Sequence, residues 1–220
     1  MIELDLPIRG PHQGIPLTQT GTPLGEAKAA MVLVHGRDAD ALRMISLLAT
    51  IDLVGFAYLA PQAANNQWFP YPLTAESHLN EPFLSSGITA VSETITTAEQ
   101  AGIPPEKVLL LGFSQGATLV LDYWRHNLRP FGGVVALSGG LSGSTLPKPE
   151  RVTTADNTPL FLASSEDDIH VPLTRVLETA DFFQTAGATV ATQFHAGVHH
   201  IVRPESLAVV GEMMATLLAE

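Results

Sequence analysis

The sequence predicts an α/β domain built on a mostly parallel, twisted sheet with helices on both faces. Three observations lead to that expectation. Short apolar runs of strand length alternate along the chain with stretches whose apolar residues recur at helical spacing. The length, 220 residues, suits one sizeable α/β domain and is short for two. Hydrophobic residues make up 45% of the chain against 15% charged, the balance expected when a sheet is covered on both sides. One domain over residues 1–220, without a large inserted cap, is the expected organisation.

Taken in order, Ile2 to Leu6 and Gln13 to Thr20 alternate weakly and are read as edge strands. Ala29 to Val34 is a continuous apolar run, the mark of a central strand, and His35-Gly36 ends it. Ala39 to Ile51 carries apolar residues at helical spacing, and Gly55 to Ala60 is strand-like until Pro61 stops it. Pro61 to Leu84 then reads as a long loop containing Trp68, Phe69 and Tyr71. Loops of that length in a compact domain are usually functional or disordered, and the aromatic group favours an ordered pocket wall.

Gly87 to Ala101 is the next expected helix, closed by Gly102 and Pro104-Pro105, and it feeds a strand at Lys107 to Leu111. Gln115 to Asn127 reads as an apolar-faced helix, Gly132 to Ser138 as a strand and Gly139 to Thr158 as a Gly/Ser/Thr/Pro-rich loop. A strand at Pro159 to Ser164, a helix at Pro172 to Ala186, a strand at Thr189 to His195 and a helix at Pro204 to Leu218 complete the chain. The crossovers are expected to be right-handed, and ligands on such a sheet sit beyond the strand C-termini.

Composition narrows the function classes. Twenty-two acids against 11 bases give a formal charge of −11, with no basic cluster, which argues against a nucleic-acid or anionic-membrane partner. Residues 1–10 lack a basic region and a long apolar stretch, and no apolar run approaches the roughly 20 residues of a membrane span. There is no cysteine, so thiolate chemistry, disulfides and cysteine-based metal sites are excluded. A cytoplasmic location fits these features, and a homodimer is compatible with them.

The chemistry centres on Gly112-Phe113-Ser114-Gln115-Gly116, which joins an expected strand to an expected helix. A Gly-x-Ser-x-Gly turn there lifts the serine hydroxyl above the sheet edge and aims a helix N-terminus at it. A serine becomes nucleophilic when an imidazole takes its proton, and the imidazole needs a carboxylate to fix its tautomer. With the chain order nucleophile, acid, histidine, the acid falls in Glu166-Asp167-Asp168, directly after a strand. Asp168 opens Asp-x-x-Val-Pro over that strand end and is the preferred acid. His199 and His200 occupy the loop after the last strand, and His199, following Gly197-Val198, is preferred as the base. His195 and His199 stand four apart, but Gly197 between them is incompatible with the helix a metal pair at that spacing needs. The backbone N–H groups of Gln115 and Arg37 are the expected oxyanion donors.

Leu33-Val34-His35-Gly36-Arg37, Ala60-Pro61-Gln62, Trp68-Phe69-Pro70, Leu111 to Ala117 with its Gly-Phe-Ser-Gln-Gly core, Leu137-Ser138-Gly139-Gly140, Asp168 to Pro172 and Gly197-Val198-His199 occur in this order over residues 33–201. On these pieces the chain resembles the phospholipase/carboxylesterase family of α/β-hydrolases, which includes the acyl-protein thioesterases. Trp68 to Tyr71 and Asn80-Glu81-Pro82 also resemble a bacterial branch linked to quinone or aromatic-compound response. The resemblance implies an α/β-hydrolase fold, Ser114, Asp168 and His199 as the triad, Arg37 and Gln115 as oxyanion donors, and no cofactor. This chain departs from the family in having Asp38 where a glycine commonly follows His-Gly-x, and Val198 where a glycine commonly precedes the catalytic histidine.

The expected activity is hydrolysis of a small carboxylic ester or thioester through an acyl-enzyme, in a shallow pocket walled by Trp68, Phe69 and Tyr71. Rates should then rise as pH passes about 6 to 7, where an ordinary histidine loses its proton. The competing readings are a catalytically silent ligand-binding protein on the same scaffold and a perhydrolase.

Overall fold

Alternate residues of the central strands face opposite ways, and the whole architecture follows from both sets being apolar. In the computed structural model, which describes residues 1–148, 155 and 157–219, eight strands form one sheet: β1 (Ile2–Asp5), β2 (Pro16–Gly21), β3 (Ala29–Val34), β4 (Phe56–Pro61), β5 (Val108–Phe113), β6 (Gly133–Leu137), β7 (Pro159–Ser165) and β8 (Thr189–His195). Their order is β1-β2-β4-β3-β5-β6-β7-β8. From β4 to β8 every neighbouring pair is parallel, and at one edge β2 pairs antiparallel with both β4 and β1.

Five α-helices cover the sheet: α1 (Ala41–Ser46), α2 (Phe83–Gln100), α3 (Gln115–His126), α4 (Leu173–Thr185) and α5 (Pro204–Ala219). Ala30, Val32 and Val34 of β3 pack with α2, α3 and α4 on one face, while Ala29, Met31 and Leu33 pack with α1 and α5 on the other. This is the helix-covered parallel sheet that the alternation predicts. All six residues of β3 and of β4 are buried, so each must satisfy both layers at once.

Some boundaries differ from the sequence reading. The strand before the serine runs to Phe113 rather than Leu111. The helix after the long loop starts at Phe83, one turn before Gly87. The helix expected at 39–51 divides into α1, whose first turn is capped by the Asp40 carboxylate accepting from the Arg43 N–H, and a 3-10 turn at Leu47–Thr50. Of the expected loop at 139–158, positions 149–154 and 156 lie outside the described residues.

The long 61–84 segment is ordered from within. Trp68 and Phe69 are buried, as is Leu73. The His12 ring reaches across from the N-terminal segment to hold the segment's backbone: its Nδ1 accepts from the Ala64 N–H at 3.2 Å, and its Nε2 meets the Trp68 carbonyl at 3.0 Å. No helix in the described residues is long and apolar enough to cross a membrane.

Candidate active site

The C-terminal ends of β3, β5 and β7 lie side by side, because β5 pairs with β3 and, through β6, with β7. Each ends in a residue type that does chemistry or shapes a turn. At the end of β5, Ser114 takes φ 55° and ψ −119°, a conformation that a side-chain-bearing residue adopts only under constraint. Its N–H donates to Leu137 O at 2.9 Å, which ties the bend to β6. The flanking glycines explain how the bend closes: a Cβ on Gly112 would lie 2.3 Å from Gly116 O, and one on Gly116 would lie 2.0 Å from Val34 O. Only hydrogen fits at either position, so helix α3 can start directly beneath the serine hydroxyl.

His200 and Asp168 meet that hydroxyl. His200 Nε2 lies 2.8 Å from Ser114 Oγ, and His200 Nδ1 lies 2.7 Å from Asp168 Oδ2. Asp168 is buried, and its other oxygen accepts from the His170 and Val171 N–H groups at 2.9 and 3.1 Å. The carboxylate is thereby fixed before it touches the imidazole. With Asp168 ionised, Nδ1 carries the proton and Nε2 is left to accept from the serine. The ring of His200 is also held by packing, its centroid 5.1 Å from that of Phe113 and 4.9 Å, edge-on, from that of His170.

The preferred histidine is therefore corrected from His199 to His200. The His199 side chain is exposed, and its role is through the backbone, where its carbonyl accepts from the Ser165 hydroxyl. Gly197 turns the chain at φ +98°, Glu166 N–H donates to His195 O, and Asp167 N–H donates to Gly197 O. This docks the histidine loop on the end of β7 in a register that turns residue 200 inward. Adjacent imidazoles carry no sequence signal that separates them, since neither is preceded by the glycine common in the family.

The two residues expected to supply oxyanion donors, Arg37 and Gln115, line one cavity with Ser114. Gln115 begins α3, and its N–H has no intrahelical acceptor. The Arg37 N–H has no acceptor among the described residues. The Asp38 N–H instead donates to Asn66 O, with Asp38 at φ 58°, so the residue standing where the family has glycine adopts the left-handed conformation a glycine would take. His35 underlies this loop. It is fully buried, its Nδ1 bonds Gly36 O and its Nε2 accepts from the Ala63 N–H, and burial pushes its pKa below the ordinary imidazole value.

A cavity of about 650 Å³ opens over Ser114 and His200, bordered among others by Arg37, Phe69, Tyr71, Thr118, Ile169 and His170. That volume lies within the range of small-molecule sites. Phe69 and Tyr71 wall it as expected, but Trp68 does not. Its indole turns into the core and donates to His35 O at 2.8 Å, while its own N–H donates to the Gln115 side chain at 3.0 Å. Gln115 Nε2 donates in turn to Phe69 O at 2.7 Å, a link between nucleophile helix and pocket wall that the sequence does not announce.

Residues 21–218 match the model of the phospholipase/carboxylesterase family. Among solved structures, a phospholipase/carboxylesterase from Dyadobacter fermentans is 33% identical and superposes with a TM-score of 0.85, each chain covering 98% of the other. Among curated proteins, a probable carboxylesterase SOBER1-like from Arabidopsis thaliana is 29% identical over 143 residues, 64% of this chain and 55% of that protein. An acyl-protein thioesterase 1 from Saccharomyces cerevisiae is 28% identical over 130 residues, 58% of this chain and 57% of the yeast protein. The matched regions thus span little more than half the length of these curated relatives.

Proposed function

We propose that this chain, which belongs to the phospholipase/carboxylesterase family, is a serine hydrolase cleaving small carboxylic esters, and thioesters by the same steps. The observation that carries the reading is the unbroken hydrogen-bonded chain from Ser114 Oγ through His200 to Asp168. Ser114 attacks the carbonyl carbon while its proton passes to His200 Nε2. The negative charge on the carbonyl oxygen is met by the N–H groups of Gln115 and Arg37. The proton then goes from His200 to the leaving alkoxide or thiolate as the tetrahedral intermediate collapses to an acyl-serine.

In the second half, His200 takes a proton from water, the hydroxide attacks the acyl carbon, and the proton returns to Ser114 as the acid departs. Asp168 keeps its negative charge throughout and stabilises the transient imidazolium. The names of the relatives, a carboxylesterase and an acyl-protein thioesterase, agree with both leaving groups.

Hydrolysis of 4-nitrophenyl acetate and butyrate by wild type and Ser114→Ala, with covalent labelling by a fluorophosphonate, tests the reading. Wild type is expected to label at Ser114, and Ser114→Ala to lose on the order of 10³-fold or more in kcat. Equal rates for the two proteins without labelling would favour a silent binding protein.

A further inference from the structure

The Arg37 side chain has more hydrogen-bonding capacity than the fold uses. Its Nη2 donates to Phe69 O at 3.0 Å and to Pro70 O at 2.9 Å, which pins the guanidinium to the pocket wall. Those two bonds occupy the two N–H groups of Nη2 and leave the N–H of Nε and the pair on Nη1 without an acceptor among the described residues. No carboxylate of a described residue forms an ion pair with it, whereas Arg125, Arg129 and Arg175 are each paired with an acid. In a chain of charge −11, a water-accessible guanidinium tied to the pocket wall by two backbone carbonyls, with no acidic partner among the described residues, borders the same cavity as Ser114 and His200.

The other titratable groups on the cavity wall are Asp38, Tyr71, His170 and His200, of which only Asp38 is an acid that could pair with a guanidinium. Asp38 is exposed to water, which screens it, and it forms no ion pair with Arg37. His170 is exposed and stands edge-on to His200, and its ring carries no negative charge that would pair with the guanidinium. A guanidinium is more weakly hydrated than an ammonium, and its planar fork matches the two oxygens of a carboxylate.

Resting on the ester-hydrolase reading, we propose that the Arg37 side chain is a carboxylate-binding element of the substrate subsite. The preferred substrates are then half-esters of dicarboxylic acids, bearing a free carboxylate a few bonds from the scissile carbonyl. The backbone N–H of Arg37 serves the oxyanion and the side chain reads the charge, so one residue couples turnover to substrate identity.

Monoethyl succinate and ethyl butyrate differ only in replacing a methyl by a carboxylate, and proton release measures both in wild type, Arg37→Gln and Arg37→Lys. The ratio of kcat/KM for the succinate over the butyrate is expected to fall about 10-fold or more in Arg37→Gln, mainly through KM. Arg37→Lys should restore part of it, and raising salt from about 0.05 to 0.5 M should shrink it in wild type. A ratio indifferent to both substitution and salt overturns the subsite while leaving the hydrolase reading intact. Independently of turnover, N-ethylsuccinamate, an amide the enzyme is not expected to cleave, should raise the Tm of Ser114→Ala and not of the Ser114→Ala/Arg37→Gln pair. That selective shift without hydrolysis of either ester would keep the subsite and sink the hydrolase; no shift in either variant counts against the subsite.

Discussion

His200 carries the clearest residue-scale consequence, because its neighbour differs from it only in direction. His200→Ala removes the one imidazole between Ser114 and Asp168, and the expected loss in kcat is on the order of 10³-fold or more. His199→Ala leaves the backbone carbonyl that accepts from Ser165 in place, so a change of less than about 3-fold is expected. Side-by-side kinetics on one chromogenic ester decide between the two histidines. Gly116 gives a second prediction of a different kind. A methyl group there would lie 2.0 Å from Val34 O and 2.6 Å from His35 O, both backbone atoms that cannot step aside without moving β3. Gly116→Ala is expected to cost about 3 kcal/mol or more, read as the shift of a urea midpoint against wild type. The residue scale is also where sequence reading reached its limit. The Gly112 to Gly116 turn was legible because steric necessity leaves only glycine there, and Asp168 because strand position and a following Val-Pro isolate it. The choice of His200 depended on which way an extended loop turns after Gly197, which no residue type encodes.

At the scale of elements, strands were easier to read than loops because a doubly buried strand has to be apolar at every position. β3, β4, β6 and β7 are legible within a residue or two on that ground, and the half-exposed edge strand β8 by its apolar alternation. The start of α2 was misread because the prolines and asparagines of the preceding loop masked a first turn that packs Leu84 inward. Trp68 was misplaced on the pocket wall because the direction of an aromatic in an extended segment depends on partners elsewhere, here His35 O and Gln115. Those partners imply a prediction about the wall as a unit. The Gln115 side chain is buried, accepting from Trp68 N–H and donating to Phe69 O. Gln115→Leu would leave the buried Trp68 N–H unpaired, at about 1–3 kcal/mol, while Phe69 O keeps its bonds from Arg37 Nη2 and Gln67 Nε2. The Gln115 backbone N–H survives the change, so kcat should fall less than KM rises as the pocket wall loses its tie to α3. Steady-state kinetics and thermal unfolding on the same variant separate the two effects, and an unchanged KM would show that the wall stands without this link.

For the whole molecule, the decisive coupling runs between the N-terminal segment, the 61–84 segment and the end of β3, and two neutral imidazoles make it. In His12 and in His35 one ring nitrogen accepts from a backbone N–H, of Ala64 and Ala63 respectively, so a second proton cannot be added without breaking that bond. Burial is the largest cause holding both pKa values below the ordinary 6.5, outweighing the carbonyl contacts that favour the charged form. The sign follows directly. Above about pH 6.5 folded and unfolded chains are alike at these sites; as pH falls below it the unfolded chain takes up protons first, and stability drops until the folded rings also protonate. Asp122 acts in the opposite sense, since burial raises its pKa above 3.8 and acid therefore relieves a buried charge. Thermal unfolding between about pH 7.5 and 5 should show Tm falling with acidification. His12→Gln and His35→Gln should start from a lower Tm at pH 7.5 yet lose less of it on acidification, because each removes one titrating ring. A slope identical to wild type in both variants would mean that acid destabilises the fold elsewhere, and that the two histidines serve as packing rather than as a pH-sensitive joint between the N-terminal segment, the 61–84 segment and the end of β3.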